Sequence, residues 1–244
     1  MSVIDKFIKS RQNKKTFCSA VIVAAGNSQR MGRDKILMPL NGKPVIAYTL
    51  EAFQKSDCID EIVVVTKLQN LAVIADICHE YGITKTSKVV CGGKTRAESS
   101  LAGVSVVSEE ATLIAVHDGA RPFVSLNVID RCFAAAEAEG AATPAVAATD
   151  TVRIVNKKGI VVSTPDRDLV ALIQTPQIFD ADLIKNALTK AVEKQLPITD
   201  DCSAVEAMGA KVSVVGGDPD NIKLTTERDI YIAEKIIRDR SDLQ

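Results

Sequence analysis

The chain has 244 residues, of which 46% are hydrophobic and 25% charged, and its formal net charge at pH 7 is −1. This length suits one α/β domain with a substantial core. The near-zero net charge argues against a general binder of nucleic acids or membrane surfaces, and no Trp is available as a stacking platform for single strands. No apolar run in the sequence approaches the ~20 residues that a membrane-spanning helix needs.

Six cysteines are spread along the chain without a C-x-x-C pair. Most lie in apolar segments, where a free thiol behaves as a small hydrophobic group, so we expect a reducing compartment, the cytoplasm. With only two histidines, the sequence offers no convincing zinc site. Any metal ion should be held by oxygen ligands and by bound substrate, which suits Mg²⁺.

Residues 1–17 form a basic N-terminal extension, with lysine or arginine at positions 6, 9, 11, 14 and 15. The segment lacks the apolar stretch of a signal peptide. We expect a mobile or short helical extension ahead of a single domain that covers residues 18–240.

The first apolar run, residues 20–25, has the Val and Ile content of a buried strand and ends at a loop of small residues. The loop carries Arg30, Arg33 and Lys35. Small residues allow backbone N–H groups to approach a polyanion, and the three cations can neutralise it. The loop matches neither a Walker A motif nor the dinucleotide-binding G-x-G-x-x-G motif. We favour a nucleotide-phosphate site here over an ordinary turn with solvated charges.

Strand-like and helix-like segments then alternate along the chain. Strands are predicted over residues 61–66, 88–91, 113–117 and 142–148, and helices over 44–54, 71–81, 96–108 and 125–139. This alternation predicts an α/β domain with a mostly parallel central sheet and helices on both faces. Ligands of such sheets bind beyond the carboxyl ends of the strands.

One segment interrupts the alternation. Two β-branched runs, residues 151–155 and 160–164, flank the turn-like segment 156–159, which ends in glycine. This pattern predicts a β-hairpin within an arm at about 149–168. Because an isolated hairpin is marginally stable in water, it should pack on its own domain or on a second subunit.

Two of the predicted strands are followed by candidate ligand-binding residues. Gly92 and Gly93 permit the close approach of a flat ligand, and Ser99 on the next helical turn can hydrogen-bond it. The alternative is a helix entry, since Thr95 and Glu98 have capping-box spacing.

A second such group follows residues 113–117. Asp118 is followed by Gly119 and Arg121, and suits a hydrated Mg²⁺ or a substrate hydroxyl. A structural Asp118–Arg121 ion pair is the alternative interpretation. We assign no catalytic role to His117, because a histidine at a strand end more often has structural hydrogen bonds.

Further polar segments occur at 165–168, 174–177, 198–201 and 220–226. Thr199 or Asp200 could simply be a helix N-cap, and Thr226 with Asp229 has capping-box spacing. The joint occurrence of such segments at the ends of successive elements favours a ligand site over a set of solvated loops.

Taken in order, these residues resemble the 2-C-methyl-D-erythritol 4-phosphate cytidylyltransferase family of the non-mevalonate isoprenoid pathway. The resemblance covers about residues 18–237. It depends on seven segments: Ala24-Ala25-Gly26 with Arg30-Met31-Gly32 and Lys35, Gly92-Gly93 with Arg96 and Ser99, His117 to Pro122, Asp150-Thr151, Thr175-Pro176-Gln177, Thr199-Asp200, and Asp220 to Lys223.

The resemblance implies a Rossmann-like nucleotidyltransferase domain with a protruding β-hairpin dimerisation arm. It also implies transfer of CMP from CTP to 2-C-methyl-D-erythritol 4-phosphate, with release of pyrophosphate. The substrate phosphate would attack the α-phosphorus of CTP in line, with Mg²⁺ as cofactor. Because this phosphate is already anionic near neutral pH, the reaction needs charge stabilisation and positioning but no general base.

The resemblance also implies roles for individual residues. Catalytic roles fall to Arg30, Lys35, Arg167 and Lys223. Binding of CTP falls to Ala24, Ala25, Gly26, Asn27, Gly93 and Ser99. Binding of the methylerythritol portion falls to Asp118, Arg121, Thr151, Thr175 and Thr199, with Asp118 also a candidate metal ligand. In a homodimer joined by the arm, Thr151 and Arg167 would serve the neighbouring subunit's site.

Two alternatives stay open. The first is a sister cytidylyltransferase that acts on ribitol 5-phosphate with the same fold; the basic Arg153, close to Thr151, favours methylerythritol phosphate. The second is a non-catalytic nucleotide-sensing domain of this fold. The presence of Arg30, Lys35 and Lys223 argues against the second.

Overall fold

The computed structural model describes residues 16–26 and 34–241. Most of the predicted N-terminal extension, together with Asn27 and Arg30, lies outside these residues. The strands are β1 (Cys18–Val23), β2 (Pro39–Leu40), β3 (Lys43–Pro44), β4 (Glu61–Thr66), β5 (Thr86–Cys91), β6 (Leu113–Asp118), β7 (Ala141–Ala147), β8 (Ile154–Val155), β9 (Val161–Ser163), β10 (Ala171–Ile173), β11 (Gln177–Asp180) and β12 (Ser213–Gly216).

The helices of the described residues are α1 (Val45–Lys55), α2 (Leu71–Glu80), α3 (Arg96–Val104), α4 (Leu126–Glu139), α5 (Ala181–Glu193), α6 (Asp201–Glu206) and α7 (Glu227–Ser241). Short 3₁₀ turns occupy Leu68–Asn70 and Arg167–Leu169. Within the described part of the chain, no helix combines the length and the apolar character that crossing a membrane requires.

An eight-stranded sheet organises the domain in the order β10-β7-β11-β6-β1-β4-β5, with β12 paired to β7. Strand β1 runs parallel to both β4 and β6, and β5 runs parallel to β4. Strands β10 and β11 are antiparallel to β7. The prediction of a mostly parallel sheet is therefore confirmed.

Successive residues of the central strands face opposite sides of the sheet. Ala20 and Ile22 of β1 belong to one buried apolar cluster together with Phe53 of α1 and Ile129 of α4. Val21, between them, belongs to a second cluster that includes residues of α3, α5 and α6. This period of two buries both faces under helices, as predicted for a parallel sheet.

The sequence patterns located the central elements better than the later ones. Helix α3 ends at Val104, earlier than predicted, and β5 begins at Thr86, two residues earlier. No prediction covered β10 to β12, since three or four residues are too few to show a periodic pattern. Helix α5 was missed although Asp180 caps it, with its side chain accepting from the N–H groups of Asp182 and Leu183.

The predicted hairpin forms a separate two-stranded antiparallel sheet, β8 with β9. Its strands are shorter than predicted. In the turn, Asn156 Oδ1 accepts hydrogen bonds from the N–H groups of Lys158 and Ile160, and Gly159 has a φ of 76°. A positive φ explains why a glycine ends this turn. The side chains of both strands are exposed.

Gly103 lets α3 lie close to the sheet. A Cβ at this position would collide with Val21 of β1 and would lie 2.7 Å from Val65 Cγ2 of β4. The first turn of α3 carries Arg96 and Ser99 beyond the carboxyl ends of these strands. The absence of a side chain at Gly103 therefore determines how close Arg96 and Ser99 lie to the sheet.

A chain of hydrogen bonds stabilises the end of β6. The Asp118 N–H donates to Thr175 Oγ1 at 3.1 Å, and Thr175 Oγ1 lies 2.9 Å from His117 Nδ1. His117 Nε2 lies 3.2 Å from the Arg121 carbonyl. Since a carbonyl only accepts, Nε2 carries the proton, and Nδ1 accepts from the Thr175 hydroxyl. Burial lowers the pKa of His117 to about 3, which agrees with a neutral, structural histidine.

We expect the free energy of unfolding to fall as the pH is lowered from 6.5 to about 4, because the unfolded chain can protonate His117 and the folded chain cannot. One such proton contributes at most about 1.4 kcal/mol per pH unit. In His117→Gln, whose side chain does not titrate, this part of the slope should disappear. Urea unfolding at a series of pH values measures it. The control is His79→Gln, which removes an exposed histidine outside this chain of hydrogen bonds. An unchanged slope in His117→Gln would contradict the assignment.

Candidate active site

A cleft with a volume of about 530 Å³ lies beyond the carboxyl ends of β1, β4, β5 and β6. Parallel strands bring their carboxyl ends to one edge of a sheet, so segments distant in sequence meet there. The described lining consists of Val23, Ala24, Ala25, Gly26, Lys35, Ile36, Lys67, Leu68, Cys91, Gly92, Gly93, Lys94, Thr95, Arg96, Ser99, Asp118, Ala120 and Lys223.

Small residues allow the segments after β1 and β5 to approach each other. A Cβ on Gly92 would collide with the Ala25 side chain and would lie 2.8 Å from Ser99 Oγ. The N–H groups of Ala24 and Gly92 donate to the carbonyls of β4, at Val65 and Thr66. The backbone is thus fixed on both sides of the cleft, where a flat ligand could enter.

The amino end of α3 is closed by a capping box. Thr95 Oγ1 accepts from the Glu98 N–H at 3.1 Å, and Glu98 Oε2 accepts from the Thr95 N–H at 3.3 Å. The buried Ser99 hydroxyl accepts from the Gly93 N–H at 3.2 Å and donates to the Thr95 carbonyl at 2.9 Å. The capping alternative is therefore correct, and it coexists with a place on the cleft lining. Through Ser99, the cap also fixes the loop at Gly93.

Asp118 lies among three cations. Its Oδ2 is 2.9 Å from Lys223 Nζ and 3.5 Å from Arg121 Nε, and its Oδ1 is 3.7 Å from Arg96 Nη2. Burial opposes ionisation of this carboxyl, but the nearby charges of Lys223, Arg96 and Arg121 hold its pKa well below the usual range. Asp118 is therefore ionised at neutral pH, and it orients the cations around it.

Arg121 forms the ion pair that the sequence offered as the structural alternative. Its Nη1 also donates to the Asn221 carbonyl at 2.7 Å, two residues before Lys223. Asn221 is fully buried and donates from Nδ2 to the Thr175 carbonyl at 2.8 Å. These bonds hold the segment that presents Lys223 to the cleft.

Sequence reasoning missed a further basic residue of the cleft lining, Lys67. Lys67 directly follows β4, and its Nζ lies 2.9 Å from Asp34 Oδ2. The same oxygen accepts from Asn70 Nδ2 at 2.8 Å. Asp34 precedes Lys35, so this pair anchors the chain beside a predicted phosphate-binding residue. A polar residue directly after a buried strand was a usable signal for Lys67.

The structure brings many of the predicted residues together on this lining. They are Ala24, Ala25, Gly26, Lys35, Gly93, Ser99, Asp118 and Lys223. Others are described but are not part of this lining: Arg121, which pairs with Asp118 of the lining, and Thr151, Arg167, Thr175 and Thr199. Thr175 is buried behind Asp118, whereas Thr151, Arg167 and Thr199 are exposed. The predictions for Asn27 and Arg30 concern positions outside the described residues.

The described residues contain no group of three or more His, Cys, Asp or Glu side chains that could hold a metal ion. On the described lining, Asp118 supplies the carboxylate, and Mg²⁺ is often held by one or two carboxylates together with substrate phosphates and water. This donor set fits a Mg²⁺ ion that arrives with a polyphosphate, and does not form a separate metal cage.

Known proteins are similar in sequence to this chain over nearly its whole length. The sequence profile of the 2-C-methyl-D-erythritol 4-phosphate cytidylyltransferase family matches residues 18–239. A protein of that name from Alkaliphilus oremlandii is 37% identical over 227 residues, which is 92% of this chain and 96% of the relative. One from Caldanaerobacter subterraneus is 40% identical over 223 residues, or 90% and 98% of the two chains.

The fold is shared as well. The crystal structure of 4-diphosphocytidyl-2C-methyl-D-erythritol synthase from Anaerococcus prevotii superposes with a TM-score of 0.83 at 33% identity, covering 96% of this chain and 99% of that one. The Thermus thermophilus 2-C-methyl-D-erythritol 4-phosphate cytidylyltransferase superposes with a TM-score of 0.72 at 28% identity, covering 89% and 98%. The chain therefore belongs to the 2-C-methyl-D-erythritol 4-phosphate cytidylyltransferase family.

Proposed function

We infer that this chain transfers the cytidylyl group of CTP to 2-C-methyl-D-erythritol 4-phosphate and releases pyrophosphate. The observation that carries the inference is the convergence of family motifs on one cleft. Ala24 to Gly26, Lys35, Gly93 and Lys223 come from separate segments, yet all of them line it. Membership of the family, with relatives of that name, supplies the substrates.

The cleft suits the attack of one phosphate on another. The attacking phosphate is anionic near neutral pH, so no side chain has to remove a proton. What the reaction needs is positive charge at fixed positions around the α-phosphate and the departing pyrophosphate. Lys35 and Lys223 line the cleft, and we assign Lys35 to the triphosphate and Lys223 to the attacking phosphate. The neutral His117 lies behind this wall and takes no part.

We further propose that Mg²⁺ enters with the CTP phosphates and that Asp118 helps to hold it through its carboxylate. When bound, the ion neutralises negative charge on the triphosphate. The protein's own part is to hold Arg96 and Lys223 on either side of Asp118, so that cations are in place before the nucleotide arrives.

A homodimer joined by the hairpin arm is also part of the proposal. The arm exposes large apolar side chains, with exposed fractions of 60% at Ile160, 58% at Val162 and 53% at Val155. Apolar side chains clustered on an exposed two-stranded sheet favour a protein partner. We assign Thr151 and Arg167, which lie away from the cleft lining of their own chain, to the site of the second subunit.

We place the enzyme in the cytoplasm. In support, all six cysteines are free thiols, and burial raises the pKa of Cys18, Cys202 and Cys132, that of Cys132 to about 12. Unreactive buried thiols are typical of proteins in a reducing compartment.

The function is tested by measuring pyrophosphate release with Mg²⁺, CTP and either 2-C-methyl-D-erythritol 4-phosphate or ribitol 5-phosphate. We expect turnover with the first acceptor only. Turnover with ribitol 5-phosphate alone would support cytidylyl transfer from CTP and contradict the proposed acceptor. No turnover with either, from folded protein that still binds CTP, would contradict an enzymatic role and support a nucleotide-sensing domain.

Lys223→Ala should lower turnover by about 10² or more while the fold persists, since it removes a preorganised charge at the transition state. From the resemblance alone, we expect the same of Arg30→Ala. The control is Lys235→Ala, which removes an exposed lysine on α7 that pairs only with Asp239 among the described residues. It should keep wild-type kinetics. Near-wild-type turnover in Lys223→Ala would contradict the role of this lysine.

Mixing two inactive variants tests the shared site. If Arg167 serves the partner, a mixed dimer of Lys223→Ala and Arg167→Ala subunits contains one intact site. An equal mixture that exchanges subunits should then recover about a quarter of wild-type activity. If Arg167 serves its own chain, no mixed dimer contains an intact site, and the mixture stays inactive. Each variant taken alone through the same exchange procedure is the control.

A further inference from the structure

A buried carboxylate lies behind the wall of the cleft. Asp201, the first residue of α6, is fully buried, and its Oδ2 lies 2.7 Å from Arg96 Nη2. Neither of its carboxylate oxygens has a hydrogen-bond partner among the described residues, so the contact with Arg96 is an ion pair. Burying a carboxylate is costly unless a cation compensates it, and Arg96 supplies that charge here.

Arg96 is shared between two carboxylates. The same Nη2 that pairs with Asp201 lies 3.7 Å from Asp118 Oδ1, and Asp118 Oδ2 lies 2.9 Å from Lys223 Nζ. Charges therefore alternate in sign from the buried Asp201 through Arg96 and Asp118 to Lys223. Only the last three reach the cleft lining.

The position of Asp201 is fixed by its neighbours. Gln177 Oε1 accepts from the N–H groups of Asp201 at 3.0 Å and Cys202 at 3.1 Å, while Gln177 Nε2 donates to Asp200 Oδ2 at 2.7 Å. Asp200 and Ser203 form a capping box. Gln177 is itself buried in β11. The far end of the alternating charges is thus attached to the central sheet.

We propose that Asp201 is a positioning residue for the transfer: by holding Arg96, it keeps Asp118 and therefore Lys223 in place for the attacking phosphate. This inference rests on the proposed function. Without the Asp201 charge, Asp118 is the ion-pair partner that Arg96 keeps among the described residues, and Arg96 draws it away from Lys223. The ammonium group then loses the contact that fixes its direction.

The test is Asp201→Asn, which keeps the size of the side chain and removes its charge. We expect kcat/KM for 2-C-methyl-D-erythritol 4-phosphate to fall by about tenfold to a hundredfold, as for a misplaced positioning group. The KM for CTP should change less than the KM for 2-C-methyl-D-erythritol 4-phosphate. The CTP contacts assigned to Gly93 and Lys35 do not pass through Asp201, and only the Mg²⁺ contact proposed for Asp118 does. Equal effects on both substrates would overturn the proposal.

A double-mutant cycle separates positioning from stability. In a Lys223→Ala background, Asp201→Asn should have almost no further effect, because the group on which it acts is already absent. An equal fold-change in both backgrounds would overturn the proposal. If Asp201→Asn does not fold, Arg96→Lys is measured in the same cycle, since an ammonium keeps the charge and lacks the guanidinium group whose Nη2 lies near both carboxylates.

The matched control is Glu61→Gln, at the opposite end of the sheet. Glu61 is buried and accepts from Ser19 Oγ at 2.5 Å, Ser87 Oγ at 2.6 Å and the Ser108 N–H at 2.8 Å. Removing the charge of Glu61 should lower the free energy of unfolding and leave the KM values for CTP and for 2-C-methyl-D-erythritol 4-phosphate unchanged. If the wild-type protein shows no turnover with 2-C-methyl-D-erythritol 4-phosphate, the proposed function and this inference are both overturned. If the wild type is active but the effects of Asp201→Asn and Lys223→Ala are additive, this inference alone is overturned.

Discussion

The site is organised around one ionised carboxylate, Asp118, at the end of the central strand β6. It attracts Arg96 from the first turn of α3, Arg121 from the loop after β6, and Lys223 from the segment before α7. Three cations so close together would repel one another without a shared counter-charge. The fold supplies that charge from the end of a central strand, β6, that is buried along its whole length.

Behind Asp118, the support is made of neutral hydrogen bonds and a second charge. The Thr175 hydroxyl holds the Asp118 N–H, and the neutral His117 holds that hydroxyl in turn. Asp201 neutralises Arg96 from the buried side. A positively charged cleft can be stable in the absence of ligand only if such partners offset its cations. The cations of the cleft are therefore supported by a neutral chain of hydrogen bonds through His117 and by the buried charge of Asp201.

The sequence was sufficient for the centre of the fold and for most of the cleft. Long β-branched runs and the helices between them predicted the parallel strands, and the rule that ligands bind at their carboxyl ends placed Gly93 and Asp118 together. The short strands β10 to β12 could not be predicted, because their pairing with β7 is set by tertiary contacts and not by local pattern. The Asp201–Arg96 ion pair could not be predicted either, because the two residues are far apart in sequence and each alone is typical of a charge at a helix end. Thr175, to which the resemblance assigns substrate binding, accepts from the Asp118 N–H and donates to His117, contacts between residues distant in sequence.

Asp34 neutralises the charge of Lys67, so this lysine adds positive charge to the cleft only when its pair with Asp34 is broken. Its acidic partner is a tethered counter-ion, present at an effective concentration that a small dissolved anion must exceed to replace it. Chloride, with one charge and no tether, competes poorly against such a carboxylate. A triphosphate brings several charges on one molecule and can replace internal partners at more than one position at once. On this physical ground, the Lys67–Asp34 pair favours a ligand with several negative charges over a monovalent anion.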